Sequence, residues 1–181
     1  YYLVQEENGC AATTIAVPVD VTPMPVDVSI NGPALVCQGE AFTLLVNAQP
    51  PVDADWTLPD NSTFSGNPYT VLSATMGDAG LYTVTPLLGP CVGAPVSWNL
   101  NVVVPQPLDL GPDTSFCVGG SVDLLIPVGF TSPIWSTGST AAVITVATSG
   151  TYSAEANDGN GCLVTDEVLV EMIDCELILP T

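Results

Sequence analysis

Asp78-Ala79-Gly80-Leu81-Tyr82 and Ser149-Gly150-Thr151-Tyr152 are the stretches that decide the fold. Each sits at the same place in a longer series. Residues 113–170 hold, in order, Cys117, Trp135, Gly150-Thr151-Tyr152, Asn160-Gly161-Cys162 and Thr165. Residues 35–104 hold Cys37, Trp56, Gly80-Leu81-Tyr82 and Cys91 in that order. The Cys-to-Trp interval is 19 residues in one copy and 18 in the other, and the Tyr-to-Cys interval is 9 and then 10. Residues 1–21 hold Tyr2, Asn8-Gly9-Cys10 and Thr13-Thr14, then a valine-rich run, which reads as the end of a third copy. Agreement among independent spacings is the signature of an internal repeat.

Between these markers the chain alternates with period two. Phe42, Leu44 and Val46 fall on one face, as do Val122, Leu124 and Ile126, and Val168, Val170 and Met172. There are 17 Pro and 16 Gly to punctuate the runs, and helix signals are nearly absent. Short alternating runs between turns predict an all-β chain of sandwiches. A Trp after the second predicted strand and a Tyr shortly before a second Cys match the immunoglobulin-type sandwich. Asp78 to Tyr82 then reads as its tyrosine corner, and Ser149 to Tyr152 as a looser one. The expected core residues are Trp56, Tyr82, Trp135 and Tyr152. Trp98 has no counterpart in the second copy, and reads either as core or as facing a neighbouring chain.

The expected organisation is tandem immunoglobulin-like β-sandwiches joined by short Pro-containing linkers. Residues 1–22 form the C-terminal hairpin of a preceding module. Residues 23–104 form one module, opened by Thr22-Pro23-Met24-Pro25. Residues 105–173 form another, opened by Pro105-Gln106-Pro107, and 174–181 begin a linker or a further domain. Prolines at both joints make semi-rigid connections. The expected disulfides are Cys37–Cys91 and Cys117–Cys162, each closing a loop worth roughly 4 kcal/mol in the chain-entropy model. They require an oxidising, extracellular setting. Zinc is disfavoured, since no Cys-x-x-Cys or Cys/His cluster is present. Cys10 then pairs within the missing part of its own module, and Cys175 is left over to pair downstream or with another chain.

Composition closes off most chemistry. The 181 residues include 19 Asp and Glu, no Lys, no Arg and no His, for a formal charge of −19. Without ammonium or guanidinium groups the chain cannot grip nucleic acid or an anionic membrane surface. Without imidazole or a lysine amine, triads, Cys-His dyads, Schiff bases and P-loops are excluded. Hydrophobic residues make up 47% and the mean hydropathy is +0.45, so the chain has material for a core despite its charge. No apolar run approaches the ~20 residues of a membrane span, and no direct membrane insertion is expected. No basic n-region marks a signal peptide here, and residue 1 reads as an interior point of a longer precursor.

Carboxylates and hydroxyls remain. Two carboxylates suffice for a glycosidase, but the closest pairs, Glu6/Glu7, Asp53/Asp55, Asp166/Glu167 and Asp174/Glu176, read as solvated loops and strand ends. The chain is read as no enzyme. Calcium takes six to eight oxygens from carboxylates and loop carbonyls, and the candidate ligands are Asp53, Asp55, Asp60, Asp113 and Asp158. No Asp-x-Asp-x-Asp-Gly motif accompanies them, so diffuse relief of self-repulsion by cations is the competing reading. Asn61-Ser62-Thr63 is a glycosylation-type triplet that also serves as a polar turn. Tyr69, Phe64 and Phe130 are the loop aromatics that a ligand-binding end would use.

Leu110-Gly-Pro-Asp-Thr114, Phe116-Cys117, Ile134-Trp-Ser-Thr-Gly138, Ser149-Gly-Thr-Tyr152 and Asn160-Gly-Cys162 closely resemble the tandem Ig-like/PKD-like repeats of giant surface adhesins and filament proteins of the Bacteroidota. The resemblance covers nearly all of 105–173, the closing part of 1–22, and 23–104 more loosely. Asp174-Cys-Glu-Leu-Ile-Leu-Pro-Thr181 resembles the entry to the type B sorting domain of type IX secretion. It implies a non-catalytic stalk or filament segment of a long secreted protein at the bacterial cell surface. Its partners would be neighbouring modules or further copies in a homo-oligomer. The alternative reading is a glycan- or protein-binding accessory module of an extracellular enzyme, with calcium as its one candidate cofactor.

Overall fold

The computed structural model describes residues 26–175, together with 2–3, 6–7, 10–11, 15–16 and 18; before Ala16 it describes backbone alone. In chain order the strands are β1 (Tyr2–Leu3), β2 (Glu6–Glu7), β3 (Cys10–Ala11), β4 (Ile15–Ala16), β5 (Val26–Asn31), β6 (Leu35–Cys37), β7 (Phe42–Gln49), β8 (Asp53–Thr57), β9 (Thr63–Ser65) and β10 (Tyr69–Val71). They continue as β11 (Gly80–Leu88), β12 (Cys91–Val92), β13 (Val96–Val103), β14 (Thr114–Cys117), β15 (Val122–Leu125), β16 (Thr131–Trp135), β17 (Val143–Val146), β18 (Gly150–Asn157) and β19 (Leu163–Ile173). A single 3-10 turn, Met76–Asp78, is the helical content among the described residues.

The chain divides into two compact units: Tyr1–Ala34, Phe42–Val71 and Gly77–Leu100, and then Leu35–Ala41, Leu72–Met76 and Asn101–Thr181. In the first unit one sheet has the order β10-β7-β5, and the other runs β13-β11-β8-β9 with β12 on β11. The alternation read from the sequence sets the faces: Phe42, Leu44 and Val46 of β7 are buried while Thr43, Leu45 and Asn47 are exposed. Trp56, Tyr82 and Val84 are fully buried among them. Trp98 stands opposite Tyr82 on β13, half-buried, and its Nε1–H donates to the Pro33 carbonyl at 2.9 Å. At the N-terminus β1 pairs β4 and β2 pairs β3, all antiparallel. Assignment of 1–22 to a preceding module rests on residues most of which lie outside those described.

The second unit has a four-stranded sheet, β14-β19-β18-β16, and a two-stranded sheet, β15-β17. Phe116, Leu124, Trp135, Ile144 and Val168 are buried together, with Tyr152 half-buried against them. Each module carries the tyrosine corner. The Tyr82 hydroxyl donates to the Asp78 carbonyl at 2.8 Å, and the Tyr152 hydroxyl to the Thr148 carbonyl at 3.0 Å. The chain is therefore all-β and built of immunoglobulin-like sandwiches, each with a Trp-bearing strand beside a Tyr-bearing strand.

The division departs from the sequence boundaries at 104 and 105 for an identifiable reason. Leu35–Ala41 belongs to the second unit, where β6 pairs with Asn101–Val103 and Cys37 is bonded to Cys162. Leu72–Met76 follows it, since Gly39 N–H donates to the Ala74 carbonyl at 2.8 Å and Ala74 N–H to the Glu40 carbonyl at 2.7 Å.

Both expected disulfide pairings are corrected. The bonds are Cys37–Cys162 and Cys117–Cys175, and Cys91 is a free thiol. In an immunoglobulin-type bridge the second Cys follows the corner Tyr by two residues. Those positions are Val84 and Ala154, both fully buried, so apolar packing fills the place of a bridge. The cysteines stand elsewhere. Cys117 closes β14 opposite Ile173, at the far end of β19 from Cys162, which directly precedes Leu163. With ~3.3 Å per strand residue, the 11 residues of β19 hold them far beyond the ~6 Å of a disulfide. Cys37 likewise stands opposite Val103 at the end of β13, whereas Cys91 pairs with Leu88 past the other end of that ladder.

Candidate functional site

Residues 105–113 form no strand, yet they hold a fixed register against β18 and β19. Pro105, Pro107 and Pro112 have no N–H, and a segment so interrupted cannot make a regular ladder. Its remaining donors still need acceptors, and carboxylates supply them. Gln106 N–H donates to Asp158 Oδ2 at 2.8 Å, and Leu110 N–H to Asp166 Oδ2 at 2.7 Å. The sense then reverses, with Leu169 N–H donating to Asp113 Oδ1 at 2.9 Å. The offset is 56 residues for both the Leu110 and Asp113 contacts. From Thr114↔Val170 to Cys117↔Ile173 backbone pairing carries on at that same offset. Aspartate side chains thus extend a parallel ladder past the point where proline stops it.

Asp158 is the centre of this arrangement. It is 3% exposed, and in a chain without cations it is paired with backbone N–H groups instead. Besides Gln106 it accepts from Asn160 N–H at 2.8 Å and Cys162 N–H at 2.9 Å through Oδ1. The Gln106 N–H foremost, with Cys162, Asn160 and Gly161 adding to it against the cost of burial, holds its carboxyl below the usual carboxylate range. The turn closes with Asp158 N–H donating to the Cys162 carbonyl and Gly161 N–H to the Asp158 carbonyl. Gly161 has φ 85°, a left-handed conformation that glycine adopts without steric cost. Cys162, fully buried, continues through its sulfur to Cys37. One turn of the β18–β19 connection thereby holds residue 106 by hydrogen bond and residue 37 by covalent bond.

The other calcium candidates are dispersed. Asp53 and Asp55 lie on strand β8, not in a loop, and are exposed. Asp55 Oδ1 accepts from the Ser65 hydroxyl at 2.6 Å. Asp60, in the β8–β9 turn, accepts from both the hydroxyl and the N–H of Ser62, which lower its carboxyl below the usual range. Asp113 faces Leu169 N–H as described. Among the described residues no three of His, Cys, Asp and Glu gather as they would around a metal. Asp166 and Glu167 are mid-strand, not at a strand end. Phe64 and Tyr69 are on β9 and β10, not in loops, and meet edge to face with ring centroids 5.2 Å apart. Phe130 packs against the core of the second unit.

The structure adds Asp166 as a structural acceptor, and it bonds Cys175 to Cys117 where the sequence suggests a partner downstream or in another chain. The signal for the first was present: prolines at 105, 107 and 112 around isolated donors, in a chain whose only abundant strong acceptors are acids. Nothing in the spacing of the six cysteines pointed to the second.

No family model matches the chain, and no curated protein matches it. Among solved structures it is similar to the insect immune protein hemolin, at 14% identity over 96% of this chain and 56% of that one, with TM-score 0.45. It is similar to three N-terminal domains of the outer capsid protein Hoc of bacteriophage RB49, at 18% identity over 80% of this chain and 58% of that one, with TM-score 0.45. An amphioxus IgVJ-C2 molecule matches at 23% identity over 54% and 56%, with TM-score 0.40. The chain spans a little over half the length of these structures. Among the described residues no helix is long and apolar enough to cross a membrane.

Proposed function

We propose that this chain is a non-catalytic structural or adhesive segment, part of the stalk or filament of a long secreted protein of the bacterial cell surface. The observation that carries the reading is the use made of its reactive groups. Asp113, Asp158 and Asp166 hold backbone N–H groups of the same unit, and Cys37, Cys117, Cys162 and Cys175 are covalently tied. Groups that could serve chemistry instead fix the strandless segment at the start of a repeat, which is where an array of beads under tension needs reinforcement. Two disulfides favour an oxidising compartment.

The repeat motifs of 105–173 support an origin among the giant type IX-secreted proteins of the Bacteroidota. The tail that resembles a sorting-domain entry lies, from residue 176 on, outside the described residues. Neighbouring modules of the same chain, or further copies of it, are the partners.

Immunogold electron microscopy of source cells, with antibody raised against residues 23–173, tests this. Label is expected along extended projections outside the cell. Label confined to the cell interior, or to compact particles that also carry hydrolase activity, overturns it.

A further inference from the structure

Both repeats carry cysteines of two kinds. Cys37 and Cys117 each end a short strand, β6 and β14, that runs parallel to the last strand of its repeat, opposite Val103 and Ile173. Each is followed by a residue and a glycine, Cys37-Gln38-Gly39 and Cys117-Val118-Gly119. Cys91 and Cys162 are of the second kind. Each follows the turn after the tyrosine strand, Cys91 opening β12 and Cys162 directly preceding β19, 9 residues after Tyr82 and 10 after Tyr152. In both cases the tyrosine strand pairs on one side with the tryptophan strand, β8 or β16, and on the other with the last strand, β13 or β19.

The bonds relate the two kinds. Cys162, a turn cysteine of the second repeat, is bonded to Cys37, the parallel-strand cysteine one repeat earlier. The parallel-strand cysteines are both engaged, Cys117 with Cys175. Cys91 is a half-buried free thiol at the position where its counterpart is bonded.

We propose that Cys91 forms a disulfide with the parallel-strand cysteine of a module preceding this one, so that successive modules are covalently laced by one repeated bond. The inference rests on the tandem-array reading, and its independent support is the Cys37–Cys162 bond. Cys10 is the wrong kind to serve. It stands in Asn8-Gly9-Cys10, matching Asn160-Gly161-Cys162, and is itself a turn cysteine. In the reaction two thiols lose two protons and two electrons and one S–S bond forms. The electrons pass to the active-site disulfide of a thiol–disulfide oxidoreductase, which leaves as a dithiol.

Disulfide mapping on the native full-length protein from its source cells tests this. Free thiols are first blocked with N-ethylmaleimide. The unreduced protein is then cut after Asp and Glu, because a chain without Lys or Arg offers trypsin nothing. Cleavage after acids isolates Cys91 in residues 79–109, Cys10 in 8–20 and Cys37 in 28–40. The expected result is the 79–109 peptide linked to a peptide from outside this sequence that contains Cys-x-Gly. Cys91 carrying the maleimide, Cys91 linked to 8–20, or two 79–109 peptides linked to each other overturns the proposal. Those results would leave the microscopy outcome untouched, so the lacing and the stalk reading fail separately.

Discussion

Asp166 Oδ2 and the N–H of Leu110 lie 2.7 Å apart across 56 residues of sequence, and the backbone ladder of β14 on β19 begins four residues later at the same offset. A carboxylate is here a ladder rung. Hydrogen bonds to a charged acceptor contribute about 1.5–3 kcal/mol, more than a neutral pair. Asp166→Ala leaves the Leu110 N–H without its partner and should cost about 2 kcal/mol. Asp166→Asn keeps a carbonyl oxygen at the site and should cost less. Chemical denaturation of both variants, with hydrogen exchange at Leu110, checks this. Equal loss in the two variants would show that charge contributes nothing there.

Asp158 extends the point to pH. Its carboxyl is held below the ordinary range by the Gln106 N–H first and its turn neighbours next. A group with a lowered folded-state pKa stabilises above its unfolded value, ~3.9, and that stability is lost as pH falls through the folded value. The second unit should therefore weaken below about pH 4. Asp158→Asn should start less stable at pH 7 and lose less on acidification. Melting temperature followed from pH 7 to pH 2 reads the difference, and parallel curves for the two proteins would refute the assignment.

Tyr82 provides the opposite sign. It is fully buried, and burial pushes its hydroxyl pKa well up, with Tyr69 and Asp78 adding to the rise. Stability from a raised folded-state value is complete below the unfolded value of ~10 and declines as pH rises beyond it. Tyr82→Phe removes the bond to the Asp78 carbonyl, at a cost of about 1 kcal/mol near neutrality. It should also flatten the decline above pH 10. Denaturation at pH 8 and pH 11 checks both parts.

The legibility of these features follows from their range. Strand alternation at Phe42–Val46 and the Gly-x-Tyr corners are local, and periodicity reports local structure directly. Trp56 and Trp135 were legible as core because a large aromatic side chain in an alternating run has few places to go, and both are buried with Nε1–H bonded to a carbonyl, of Gly66 and Ala141. The disulfides were not legible. Intervals between cysteines repeat whether a bond joins residues within one copy or in successive copies, so spacing alone does not discriminate. What excludes Cys117–Cys162 is that β19 separates them, a fact of sheet register that appears only once β14 is known to pair in parallel at Ile173. In the sequence Asp158 reads as a metal ligand because carboxylates in loops resemble calcium sites. Its actual partners are backbone donors, which every sequence has and no motif announces.

The two bonds differ in access, and reduction should separate them. Cys117 and Cys175 are both exposed, whereas Cys37 is 6% exposed and Cys162 is fully buried. Attack by an external thiolate needs access to sulfur. Under graded reductant in native buffer, Cys117–Cys175 should open first and Cys37–Cys162 only as the second unit unfolds. Alkylation at each step with mass mapping gives the order. The mechanical consequence is larger. Cys37–Cys162 shunts a sequence separation of 125 residues, so a chain pulled from its ends while oxidised can extend only through the residues outside that loop. Full reduction should add about 400 Å of contour at ~3.4 Å per residue. Single-molecule extension with and without reductant measures it directly. A gain nearer 340 Å, the contour at ~3.4 Å per residue of the 54-residue and 45-residue separations that Cys37–Cys91 and Cys117–Cys162 would close, would restore the pairing within one repeat that the register of β6 on β13 opposes.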